Sequence, residues 1–94
     1  MNYTQFERYL LDLEYAESFV SQCLRRIQET ERAFGNTVET LVHDVVTMEQ
    51  SLRDLEWKIS KNDLDNYQNS LRHYYKMVHG EDFPGRAFGN RRLK

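Results

Sequence analysis

The chain holds a single cysteine, Cys23, which excludes an internal disulfide framework and a zinc site built on cysteine pairs. It holds one proline and four glycines, and three of those glycines (Gly80, Gly85, Gly89) fall in the last fifteen residues. A β-sandwich needs more turns than so few breakers can supply. No apolar run exceeds three residues, so no segment is long enough to span a membrane as a helix. Met1 to Gln5 carries neither a basic stretch nor an apolar stretch of the kind that leads a secreted chain. A cytoplasmic, reduced setting is expected.

What remains is a helical vocabulary. The 94 residues give room for one domain, and 39% apolar against 30% charged residues suits thin helical layers better than a thick α/β core. Phe6, Leu13, Val20, Ile27 and Phe34 recur every seven residues. Val38, Val45, Leu52 and Ile59 form a second such series, and Leu64, Leu71 and Val78 a third. These are stripes at helical period, and nothing alternates at period two. Gly35 and Gly80 read as helix stops. Asn36 with Glu39 has the spacing of a capping box, and Asn62 and Ser18 read as further caps.

The spacing therefore predicts an all-α fold: a compact antiparallel bundle of three to four helices with a basic C-terminal tail. The expected helices are 3–13 and 16–34 (separate or fused), 37–59 and 63–79. Residues 1–80 form the bundle in this reading, and 81–94 a tail that is either disordered or docked through Phe83 and Phe88. Leu13, Val20, Ile27, Val45, Leu52, Leu55, Leu71 and Val78 are expected to share the core.

Charge is unevenly spread. Residues 1–57 carry five Lys/Arg against eleven Asp/Glu, whereas residues 58–94 carry eight against four. Such a split marks either a basic binding face or two halves that attract each other across the fold. From Asn66 to His79 there is no carboxylate. Arg72 and Lys76 are four apart on one helix face, with Asn69 three before Arg72. Lys61, Asn66, Asn69, Arg72, His73 and Lys76 are therefore the candidate nucleic-acid contacts of the last helix. Arg86, Arg91 and Arg92 are those of the tail. Phosphate binding asks for such donors on an exposed face.

Aromatic residues off the main stripes point elsewhere. Tyr15, Trp57 and Tyr75 are candidate partner-binding residues, because exposed aromatics anchor protein interfaces. A homodimer is an expected way to cover them.

Phe6-Glu7-Arg8-Tyr9-Leu10, Tyr15-Ala16-Glu17-Ser18 and Leu24-Arg25-Arg26-Ile27 together resemble the opening of the SAM-like core-binding domain of tyrosine recombinases (phage integrases). Tyr67 to Val78, with Ser70-Leu71-Arg72 before the aromatic pair Tyr74-Tyr75, resembles that family's closing helix. The resemblance spans residues 4–84. It implies a helical domain that clamps one side of duplex DNA, with Ser18, Ser21, Gln22, Arg25 and Arg26 of the second helix among its contacts, while a separate domain, not expected within these residues, performs catalysis. The sequence departs from the family at Glu14, Phe19 and Cys23, and Glu14, Glu17, Glu29 and Glu31 would repel phosphate near the second helix.

Enzyme chemistry finds little support. His43, His73 and His79 lack metal-ligand spacing, and there is no glycine-rich phosphate loop or serine elbow. Arg72 and His79 fall within the loose arginine–histidine spacing of HEPN ribonucleases, but they stand two turns apart. Cys23 lies on an apolar stripe, as a small buried residue does. No catalytic residue, metal, cofactor or small-molecule substrate is expected. The expected function is a non-catalytic DNA-binding module. The alternative is a small helical accessory protein of a phage, plasmid or other mobile element, acting on a protein partner through a helix face.

Overall fold

The computed structural model describes residues 3–84. The order is α1 (Tyr3–Asp12), α2 (Glu17–Phe34), α3 (Val38–Leu41), α4 (Val45–Lys58) and α5 (Lys61–His79). The fold is all-α, and no described residue is in a strand. Arg86, Phe88, Arg91 and Arg92 lie outside the described residues, as does the question of the tail's order.

α1 and α2 are separate helices. α1 ends in a Schellman turn: the Tyr15 amide donates to the Leu10 carbonyl at 3.3 Å, and the Glu14 amide to that of Leu11 at 2.9 Å. Glu14 takes the left-handed conformation there, at φ 69°. That conformation costs an L-residue about 1–2 kcal/mol, and glycine does not bear it. Glu14→Gly is therefore expected to raise stability by about 0.5–1 kcal/mol, once glycine's greater freedom in the unfolded chain is deducted. Urea melts of the two proteins check it. The N-cap of α2 is Ala16, not Ser18.

The expected helix 37–59 is in fact two, which makes five helical segments among the described residues. Asp44 accepts the Thr47 amide at 2.7 Å and starts α4 afresh, while Thr37, rather than Asn36, caps α3. Ser60, rather than Asn62, is the N-cap of α5. Gly35 and Gly80 end α2 and α5 in the left-handed conformation, as their positions in the sequence predict.

The core is built on Phe6, Leu10, Val20, Cys23, Ile27, Val38, Val42, Met48, Leu52, Leu55, Leu71, Tyr74, Tyr75 and Phe83. Of the residues expected there, Val20, Ile27, Leu52, Leu55 and Leu71 are buried. Leu13, Val45 and Val78 are not. Leu13 falls beyond the end of α1, in the turn, and stands 50% exposed. Val45 is the first residue of α4, where the break at 42–44 resets the helical phase. Val78 sits in the last turn of α5, where the inward side is taken by Tyr74 and Tyr75. A strict seven-residue repeat also drifts by about 20° per heptad on a straight helix, so stripe membership weakens toward helix ends.

Packing continues past Gly80. Phe83 is buried and its ring meets Tyr75 edge-on at 5.3 Å, while Asp82 lies 3.4 Å from the Lys76 ammonium. Among the described residues no helix is long and apolar enough to cross a membrane.

Candidate nucleic-acid interface

α2 and α5 lie side by side and antiparallel. The Phe19 ring meets His73 at 5.7 Å, the Cys23 thiol meets the Ser70 hydroxyl, and Tyr67 donates its hydroxyl to Glu29. This pairing joins two stretches that are far apart in the chain. The α5 stretch Asn66 to His79 has no carboxylate, and neither has the α2 stretch Ser18 to Gln28. The first was visible in the sequence. The second was there to be seen between Glu17 and Glu29, but only the antiparallel register makes the two one surface.

Leu71, Tyr74 and Tyr75 set the inward side of α5, so Asn66, Asn69 and Lys76 face solvent. Lys61 is exposed at the start of the helix. On α2, Ser18, Ser21, Gln22 and Arg25 are exposed and line a shallow, open depression. Arg26 donates to the Gln22 amide oxygen at 3.3 Å. Arg72 donates to the Asn69 amide oxygen at 3.0 Å, and so is held along the helix. Glu49 pairs with Arg53 at 3.5 Å, and Asp54 accepts from Gln50 at 2.8 Å.

His73 is not an exposed cation. Its ring lies 5.4 Å from Tyr15 and meets Phe19 edge-on, and it is half-buried. Burial pushes its pKa below the ordinary 6.5, and the Lys76 ammonium adds to the shift. The unfolded chain takes up a proton near the ordinary value, while the folded chain holds the ring neutral to lower pH. This contribution is present above pH 6.5 and is lost as pH falls below it. Thermal melts between about pH 5 and 7 should show a fall in stability on the acid side that His73→Phe reduces.

The acidic residues expected to repel phosphate near α2 are partly engaged elsewhere. Glu31 accepts the Tyr3 hydroxyl at 2.6 Å and the Val38 amide at 2.7 Å, on the side of α1 and α3. Glu29 accepts from Tyr67 at the edge of the surface. Comparison with known protein families, with curated proteins and with solved structures finds no match.

The three aromatic candidates part ways. Tyr75 is 3% exposed, stacked on His79 at 4.2 Å and covered by Phe83, so it is a core residue and not a partner contact. The fold-back of residues 81–84 onto α5 buries it, and its place off the apolar stripe gave no sign of that cover. Tyr15 is half turned to solvent beside Phe19 and His73. Trp57 alone is fully presented, at 87% exposure.

His79 donates its Nε2 proton to the Val42 carbonyl at 2.8 Å, a tie between α5 and the end of α3. Cys23 is buried, and burial pushes its thiol pKa up, which keeps it protonated and unreactive. Among the described residues no group of three or more His, Cys, Asp or Glu is arranged to hold a metal ion.

Proposed function

We propose that the chain is a non-catalytic DNA-binding module that meets the duplex with the joint outward face of α2 and α5. The observation that carries this reading is the juxtaposition of two carboxylate-free stretches, Ser18 to Gln28 and Asn66 to His79, in a chain with fifteen acidic residues. That face offers the cations Arg25, Arg26, the half-buried Arg72, and Lys76, which pairs with Asp82 at 3.4 Å, with the neutral donors Ser18, Ser21, Gln22, Asn66 and Asn69. Phosphate contacts are made by such mixed sets, in which cations supply affinity and short polar side chains fix position. The resemblance to recombinase core-binding domains points the same way. Arg86, Arg91 and Arg92 are further candidate phosphate contacts.

Most contacts in this reading are to phosphate, so binding is expected to be weakly sequence-dependent and steeply salt-dependent. Fluorescence anisotropy with random duplexes across a salt series reads both. Changing Arg25, Arg72 and Lys76 together to Ala should weaken binding evenly across sequences. It should also lower the slope of log K against log salt by about 0.9 for each lost phosphate contact. Affinity unchanged in the folded triple variant, or no binding at low salt, would overturn the reading and favour the protein-interaction alternative.

A further inference from the structure

The outward side of α4 has a different character and takes no part in the proposed DNA contact. Met48, Ser51, Leu52 and Leu55 turn one side of α4 to the core. The opposite side presents Val46, Gln50, Arg53 and Trp57, spaced i, i+4, i+7 and i+11, which is one continuous stripe. Its two ends are apolar and open: Val46 is 76% exposed and Trp57 87%. Its middle is polar, with Arg53 3.5 Å from Glu49 and both side chains well exposed. The stripe spans about 16 Å at the helical rise of 1.5 Å per residue.

We infer that this stripe is a self-association face, on which a second copy of the chain packs α4 against α4 in antiparallel fashion about a two-fold axis. The argument is self-complementarity. An axis passing between positions 51 and 52 sets Val46 of one copy opposite Trp57 of the other, and does so at both ends. The same axis brings Arg53 of each copy to Glu49 and Gln50 of the other, so the charged middle pairs opposite signs instead of like ones. A parallel arrangement would set Trp57 on Trp57 and Arg53 on Arg53, which repels. Each indole then covers apolar surface at the rim of a narrow contact, and the paired charges fix the register. One helix face per copy is a small contact, at or below about 1,200 Å² in total, so the dimer is a transient one.

Sedimentation equilibrium tests this on the whole chain, from about 5 to 500 µM, a range that suits so small a contact. The expected result is a weight-average mass that rises from 11.4 kDa toward twice that value. Trp57 emission should shift to the blue over the same range. Trp57→Ala and Val46→Asp should each hold the chain monomeric while leaving its far-UV circular dichroism unchanged, since neither side chain is in the core. Arg53→Glu should also weaken the dimer by setting like charges across the axis, and adding Glu49→Arg should restore it. A monomer mass throughout would overturn the inference. So would a dimer that Trp57→Ala and Val46→Asp leave intact, which would put the interface elsewhere. A double charge reversal that fails to rescue would overturn the antiparallel register.

Discussion

Leu52→Ala is expected to lower the unfolding free energy by about 2–5 kcal/mol, and Leu13→Ala by less than about 1 kcal/mol. Both are leucines on a seven-residue stripe, and both are expected core residues by sequence. Leu52 is buried in the core, and its backbone carbonyl accepts from the Gln68 side-chain amide of α5 at 2.9 Å. Truncation there removes apolar contacts and leaves a cavity that helices on both sides cannot close. Leu13 stands in the turn after α1, half in water, and leaves no cavity. For a domain this small, a loss of several kcal/mol is a large share of the total. Urea denaturation of the two variants checks the contrast. Equal losses would mean that the heptad stripe, not the observed burial, describes the core.

Glu31→Ala is expected to cost about 1.5–3 kcal/mol, the worth of hydrogen bonds made to a charged acceptor. One carboxylate accepts from Tyr3 in α1 and from the Val38 amide at the start of α3, so it ties three helices at one point. Glu31→Gln should cost less, because its amide oxygen still accepts one of the two bonds. The Tyr3 hydroxyl carries a signature of the same contact. Burial, with the Glu31 carboxylate second, pushes its pKa from 10.0 up to about 12. The folded chain therefore holds this proton more tightly than the unfolded chain. The contribution is complete below pH 10 and is lost as pH rises toward about 12. Tyr67, through its bond to Glu29, and Tyr75, through burial, shift in the same direction. Wild type should therefore lose stability across this alkaline window, and Tyr3→Phe should lose less. An identical alkaline loss in Tyr3→Phe would show that the Tyr3–Glu31 contact adds nothing.

The all-α class, the two glycine stops and the core residues Val20, Ile27, Leu52, Leu55 and Leu71 were legible in the sequence because they are local. Seven-residue spacing needs only the period of a helix, and Gly35 and Gly80 need only their own backbone freedom. The break at 42–44 was also written there, in the Asp44 to Thr47 spacing of an N-cap, but the seven-residue series Val38, Val45, Leu52 and Ile59 runs straight across it and masked it. Other features depend on what packs against a residue, which no local pattern records. Tyr75 lies beside the stripe and is buried, because Phe83 folds back over it from beyond the helix end. Trp57, equally off the stripe, stays in water because no described element covers that side of α4. The sequence likewise showed the carboxylate-free run of α5 as a property of one helix. Only the antiparallel register of α2 on α5, set by Phe19 at His73 and Cys23 at Ser70, laid the second such run beside it. Period and capping are dictated by residues within one or two turns of each other. The partners of a face are dictated by contacts between residues far apart in the chain, as Phe19 and His73 are, and those exist only once the chain has folded.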